Sequence, residues 1–151
     1  IADEPTTALD VTVQAQIFDL LRELRDETGT AIIMITHDMG AVAEMAERMI
    51  VMYAGRKAEE GPVDPIIDHA RHPYTKGLIA CVPHLHAVLT EQRDTLVEIE
   101  GIVPGLTEFG VDRCLFASRC TMRTQKCLDA RPPEVAFDGG QKSACWHAED
   151  V

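Results

Sequence analysis

The sequence predicts an α/β fold that passes into a small cysteine-rich α+β domain, and three observations support this. Amphipathic helical stretches alternate with short continuous apolar runs through the first half, the pattern of a parallel sheet with crossover helices. Acids and a histidine follow two of those runs, Asp3-Glu4 after Ile1-Ala2 and His37 after Ala31-Ile32-Ile33-Met34-Ile35. Four of the five cysteines crowd between Cys114 and Cys145, where large apolar residues are scarce.

The elements follow in order. From Val11 to Thr28 the apolar residues Val13, Ile17, Leu20, Leu21 and Leu24 fall at offsets of 0, 4, 7, 8 and 11, one face of a helix. Asp10 suits its N-cap and Gly29 its C-cap. The run Ala31–Ile35 is predicted as a strand buried on both faces, which puts His37 at a strand's carboxyl end, where ligands of open α/β sheets sit. Asp38 can cap a second helix carrying Met39, Val42, Met45, Ala46 and Met49, and the methionines are read as core packing. Met49–Tyr53 is predicted as another buried strand, joined through Ala54-Gly55 to Arg56–Glu60 as a hairpin that Gly61-Pro62 breaks. Short helices are predicted over about 63–70 and 74–81, with His72 as an extended pre-proline residue and Pro73 as a helix-start residue. Cys81, beside Leu78, reads as a small buried hydrophobe.

Composition narrows the function classes. The chain has 151 residues, 46% of them hydrophobic, and a formal charge of −11. Residues 1–111 carry 8 Lys/Arg against 19 Asp/Glu, whereas 112–151 carry 6 against 6. An acidic chain without a basic stripe argues against nucleic acid as partner. No stretch approaches the roughly 20 apolar residues needed to cross a bilayer. A strand leading into an acidic pair is normally about five residues long, yet only Ile1 and Ala2 precede Asp3 and residue 1 is not Met. This is read as a chain whose N-terminal half is missing.

A lone Asp-Glu pair usually marks a solvated turn, but the ordered run Asp3-Glu4-Pro5-Thr6-Thr7-Ala8-Leu9-Asp10 with the spaced His37 is far more specific. It resembles the ATP-binding subunits of ABC transporters. The resemblance implies the C-terminal half of a RecA-like P-loop ATPase domain, in which Glu4 orients the attacking water and His37 contacts the γ-phosphate. It also implies that Asp3 holds the water shell of Mg²⁺ and that Asp10 lies where two subunits face each other across ATP. No Gly-x-x-x-x-Gly-Lys-Ser/Thr occurs in the chain, nor does the family's Leu-Ser-Gly-Gly-Gln signature. The backbone cradle and the lysine that grip nucleotide phosphates are therefore lacking, and the chain alone is expected to be inactive.

Farther on, His72-Pro73-Tyr74-Thr75-Lys76-Gly77-Leu78 up to Pro83 resembles the segment that follows the nucleotide-binding domain in the oligopeptide and dipeptide branch of this family. That resemblance runs over residues 1–147 and implies import of peptides or, in some relatives, nickel. The implied partners are transmembrane permease subunits, a second ATP-binding subunit in a homo- or heterodimer and, indirectly, an extracytoplasmic solute-binding protein. The implied location is peripheral, on the cytoplasmic face of the cell membrane. His69, His84 and His86 are read as solvated surface residues.

Cys114, Cys120, Cys127 and Cys145 are spaced C-x5-C-x6-C-x17-C, with Phe116, Phe137 and Trp146 as nearly the only large core formers nearby. A segment so poor in core needs a staple of disulfides, zinc or an iron–sulfur cluster. A reducing compartment disfavours disulfides. Zinc sites usually draw on closely spaced cysteine pairs, whereas four spread cysteines suit a 4Fe–4S cube equally well or better. Arg113, Arg119, Arg123 and Lys126 interleave with them and would offset thiolate charge. Zinc and four reduced structural cysteines remain the alternatives, and His147 could replace Cys145 as a ligand. The resemblance adds that some members of the peptide branch carry a 4Fe–4S cluster here, and the four cysteines match one by one.

The expected organisation is therefore the distal ATPase half over 1–61, a helical linker over 62–95 and a cysteine-rich domain over 96–151. The expected function is ATP hydrolysis powering peptide import. A non-enzymatic metal-binding and interaction module with vestigial ATPase residues is the rival.

Overall fold

In the computed structural model, which describes residues 1–82, 98–105, 110 and 112–151, side-chain caps set the first two helices. Asp10 has extended backbone and accepts the Thr12 and Val13 N–H groups at 3.0 and 3.1 Å, which starts α1 (Val11–Thr28). Gly29, at φ 66°, ends that helix in the left-handed conformation that costs glycine least. Asp38 starts α2 (Met39–Met45) in the same way, its Oδ1 accepting the Gly40 and Ala41 N–H groups at 2.8 and 3.2 Å. Its other oxygen takes the Gln14 side-chain amide of α1 at 3.1 Å, so one carboxylate both caps a helix and ties two helices together.

These helices flank a two-stranded parallel sheet, β1 (Ala2–Asp3) and β2 (Met34–Ile35), with Ala2 opposite Met34 and Asp3 opposite Ile35. The sheet and both helices form one unit, Ile1–Ala46. Phe18 and Ala41 are its buried apolar residues, and Phe18 was not among the face read from the sequence. Val13, Ile17 and Leu21 lean toward that interior, but Leu20 and Leu24 are exposed. The predicted strand Ala31–Ile35 pairs only over its last two residues, and Ile33 and Ile35 are exposed rather than buried on both faces. A two-residue partner on one side cannot cover a five-residue run.

The second unit, Glu47–Val151, is built on a different sheet. Its first strands, β3 (Arg48–Tyr53) and β4 (Arg56–Pro62), pair antiparallel through a turn at Ala54 and Gly55, with φ of 48° and 76°. Two consecutive positive φ values give the primed turn whose twist matches a hairpin. The strand β3 is half-buried instead of fully buried: Met49, Val51 and Tyr53 point inward, while Ile50 and Met52 are exposed. It also lies outside the parallel sheet of β1 and β2, so the alternating parallel pattern stops at α2. Gly61-Pro62 does not break β4, which runs through Pro62.

A register shift between Val51 and Met52 leaves Ala58 as the extra residue of β4, and the bulge turns both Ala58 and Glu59 inward. The Ala58 carbonyl accepts the Ala144 N–H at 2.8 Å. The sheet then grows by β6 (Lys142–Ser143) and β5 (Val135–Ala136), in the order β3-β4-β6-β5. Gly61 makes that approach possible, because a Cβ there would lie 3.0 Å from the Gln141 Cα. The boundary expected near residue 61 accordingly falls inside this unit. The cysteine-bearing segment shares a sheet with the hairpin, since Glu59 pairs with Ser143 and Glu60 with Lys142.

Helices α3 (Val63–Asp68) and α4 (Pro73–Ala80) follow the hairpin, and α5 (Gln125–Asp129) lies in the C-terminal segment. Cys81 caps the C-terminal end of α4 half-exposed, not buried as expected, because it sits where the helix stops. His84 and His86, and the part of the expected helical linker from 83 to 95, lie outside the described residues. The core joins Tyr53, Ala58 and Phe116, with Tyr74, Ile99 and Leu115 packed against them. Ring centroids of Tyr53, Tyr74 and Phe116 lie 4.8 to 5.4 Å apart, tilted or edge-on, an arrangement worth about 0.5–1.5 kcal/mol per pair beyond area burial. Among the described residues no helix is long and apolar enough to cross a membrane.

His72 sits in this core beside Phe116, its Nδ1 accepting the Tyr74 N–H at 3.1 Å, and burial pushes its pKa down to about 4. The unfolded chain, with a histidine pKa of about 6.5, takes up that proton first. The neutral ring thus contributes stability that is full above about pH 6.5 and is lost as pH falls toward 4. Urea unfolding should show this loss in the wild-type chain. His72→Asn, which keeps an acceptor at the helix start, should lose distinctly less stability over the same window. An identical pH slope in both proteins would contradict the assignment.

Candidate functional site

Two side chains meet where β1 and β2 end. The Glu4 N–H donates to the Ile35 carbonyl at 2.8 Å, which carries the parallel pairing one residue beyond Asp3 and brings Glu4 level with the end of β2. His37 follows two residues later, with the Asp38 N–H held by the Thr36 hydroxyl at 3.0 Å and the Asp38 side chain fixed as the α2 cap. His37 Nδ1 and Glu4 Oε1 lie 2.8 Å apart, and the Thr7 hydroxyl donates to Glu4 Oε2 at 2.5 Å. Glu4 has φ 47°, and Ala8 in the same loop has φ 63°. A non-glycine residue in this region costs on the order of 1–3 kcal/mol and is typical of functional sites.

The charges of the pair reinforce each other. Hydrogen bonds from Thr7 and then His37 hold the Glu4 carboxyl below the usual glutamate range, while Glu4 draws the His37 pKa above its ordinary value. Both side chains are solvent-exposed, so the pair contributes little to stability. What it provides is a carboxylate whose second oxygen is positioned by Thr7 and an imidazole whose Nε2 is not engaged by Glu4. Thr7, three residues after Glu4, stood in the sequence run without a role. The signal for it was a hydroxyl at the fourth position of a tight turn that Glu4 opens.

The other two predicted residues of this loop are placed differently. Asp3 is the last residue of β1 and is exposed. Asp10 uses Oδ1 to cap α1, a structural task for a residue expected at a subunit interface.

In the second unit all five cysteines are free thiols. Cys127 is buried on α5, its carbonyl accepting the Cys114 N–H at 3.0 Å, while Cys120 and Cys145 are half-buried. Burial first, then neighbouring thiols, raises the pKa of Cys114 and of Cys120, and raises that of Cys145 to about 11. Main-chain N–H groups two residues on oppose that rise, Phe116 at Cys114, Met122 at Cys120 and His147 at Cys145, the last donating to Sγ at 3.3 Å. Such turns offer donors to a thiolate, so the donor set fits a soft metal or cluster. Even so, among the described residues no three His, Cys, Asp or Glu side chains close into a group able to hold a metal ion.

Nor does the segment lack a core, contrary to expectation. Phe116 packs on Tyr53 and Tyr74 from the hairpin and α4, Trp146 donates to the Ala130 carbonyl at 3.3 Å, and Lys126 stacks over the Trp146 ring at 3.7 Å. Borrowed aromatic contacts supply what local composition does not. His147 directs Nε2 to the Thr124 hydroxyl at 3.1 Å. His69 is exposed as expected, and its carbonyl accepts the Gln141 amide at 2.9 Å.

Residues 58–127 match the family model described as "Oligopeptide/dipeptide transporter, C-terminal region". Over all of its length the chain is 44% identical to a Brucella ovis protein named "Putative peptide import ATP-binding protein", covering 45% of that protein. A Brucella abortus protein of the same descriptive name is 48% identical over 96% of the chain, which covers 42% of it. The chain thus spans less than half the length of these relatives. The resemblance to ATP-binding subunits of oligopeptide/dipeptide-type ABC transporters is borne out.

The Glu4–His37 contact has a direct spectroscopic consequence. In an NMR titration His37 should titrate above the usual histidine value of about 6.5, and Glu4→Gln should bring it down. The folded-state value is the raised one, so the pair's small stabilisation is full at mildly acidic pH and fades as pH rises through the His37 pKa. An unchanged His37 titration in Glu4→Gln would show that the two side chains do not interact in solution.

Proposed function

We propose that this chain carries the hydrolytic end of an ATP-binding subunit that powers peptide import through an ABC transporter. The observation that supports it most is the Glu4–His37 pair, a carboxylate and an imidazole held together at the carboxyl ends of two parallel strands. Phosphoryl transfer asks mainly for positioning and charge stabilisation. Glu4, steadied by Thr7, orients the attacking water, and His37, with Nδ1 held by Glu4, presents Nε2 to a γ-phosphate oxygen. Asp3 would hold Mg²⁺, whose chemistry here is to neutralise the phosphate charge. Asp10 adds an interface role to its capping role, facing a second ATP-binding subunit in a homo- or heterodimer.

The names of the relatives support peptide as the cargo. Permease subunits and, through them, a solute-binding protein are the corresponding partners, with the chain peripheral on the cytoplasmic face. We further infer that Cys114, Cys120, Cys127 and Cys145 ligate a 4Fe–4S cluster. The all-thiol donor set and the main-chain N–H of His147 on Cys145 Sγ support this, and closing the ligand shell would deprotonate thiols that burial otherwise keeps neutral. Zinc is the alternative occupant.

The test is hydrolysis. The 151-residue chain, which holds no phosphate-gripping lysine motif, should show no ATP turnover. In a protein extended to the length of the relatives, Glu4→Gln should lower turnover by about 100-fold or more while ATP binding persists. Robust turnover by the chain alone, or an active Glu4→Gln protein, would overturn the reading.

A further inference from the structure

We propose that the cavity lined by Arg56, Arg113 and Arg131 in the second unit binds a phosphate group, either the free ion or the end of a small phosphomonoester. The three arginines come from separate stretches of chain: the start of β4, the segment before Phe116 and the segment after α5. Lys57 also lines the cavity, but its ammonium is already held by Glu60 and Glu134, at 2.7 and 2.5 Å. The chain has 14 Lys/Arg against 25 Asp/Glu, so an average surface on it is rich in acids. Among the described residues this cavity is lined by four cations and no carboxylate. A guanidinium presents two parallel N–H groups that match two oxygens of a phosphate.

A buried donor completes the lining. His72 is only 4% exposed and lines the same cavity. Its Nδ1 accepts the Tyr74 N–H at 3.1 Å, so the ring proton is on Nε2, the opposite nitrogen. Among the described residues no group accepts that proton. A buried donor left unpaired is costly, and an oxyanion in the cavity would satisfy it. Size narrows the ligand further. The cavity measures about 40 Å³. At about 10–15 Å³ for each water-sized group, that is room for about three, the oxygens that a phosphate turns inward. A nucleotide base is too large for it. Arg113 and Arg131 are exposed, which leaves the fourth oxygen a way out to solvent.

The experiment titrates the 151-residue chain with sodium phosphate at constant ionic strength, following the heat by calorimetry and the histidine rings by NMR. Binding should saturate at one site, and the His72 Nε2–H signal should shift in step with the heat. Arg131→Gln and Arg56→Gln should each weaken binding about tenfold or more, as expected when a hydrogen bond to a charged group is lost. Arg123→Gln, which removes an exposed arginine outside the cavity, should bind like wild type. Glycerol phosphate then separates the two sources: affinity equal to that of phosphate assigns the site to phosphomonoesters, and binding of the free ion alone assigns it to inorganic phosphate. A response that does not saturate, an equal loss in Arg123→Gln, full affinity in both Arg131→Gln and Arg56→Gln, or shifts confined to the exposed His37 and His69 would overturn the site.

Discussion

The second unit depends on a single buried carboxylate. Glu59 is fully buried, 0% exposed, on the bulge of β4. Its Oε1 accepts the Arg71 N–H and the Gln141 side-chain amide, each at 2.7 Å, and its Oε2 accepts the His72 N–H at 3.1 Å. An acid placed there without donors would cost several kcal/mol, whereas each hydrogen bond to a charged group contributes about 1.5–3 kcal/mol net. The donors come from two distant stretches, 71–72 and 141, so both must be in place for β4 to bury Glu59. Two further bonds close the arrangement, from Gln141 Nε2 to the His69 carbonyl at 2.9 Å and from the Ser143 hydroxyl to the Arg71 carbonyl at 2.9 Å.

The consequences run outward from that point. The bend before Pro73 is fixed, which starts α4 and drops the His72 and Tyr74 rings onto Phe116. Phe116 lies between Cys114 and Cys120, so the aromatic cluster steadies the turns that carry those thiols. On the outer side Lys57 and Lys142 sit between Glu60 and Glu134, a partly exposed network that holds Glu60 down to about 2. That network is a supplement, since ion pairs open to solvent contribute little. The first unit works differently: two helix caps and one backbone bond to Ile35 suffice to bring Glu4 and His37 together.

Legibility in the sequence followed the range of each interaction. Both ends of α1 were readable because Asp10 and Gly29 act on their immediate neighbours, and the Ala54-Gly55 turn for the same reason. The pairing of Glu59 with Ser143 was not, because residues 84 positions apart leave no local trace. Glu59 falls inside the predicted strand Arg56–Glu60, and only the bulge, which upsets the two-residue alternation, turns it inward. The exposed Ile50 and Met52 made β3 read as fully buried. At the acidic loop, residue types and spacing put Glu4 and His37 at the ends of neighbouring strands, while the contact of Thr7 with Glu4 needed coordinates. Single hydroxyls have too many possible partners to be assigned from order alone.

The central claim is that the His72-Pro73-Tyr74 bend and the C-terminal hairpin form one cooperative body on Glu59. Native-state hydrogen exchange on Glu59→Ala tests it most directly, because exchange reports which segments open together. The account predicts that amides of 71–76 and of 142–144 lose protection in concert, while α1 keeps its protection unchanged. Loss confined to β4, with the bend and the hairpin still protected, would contradict it.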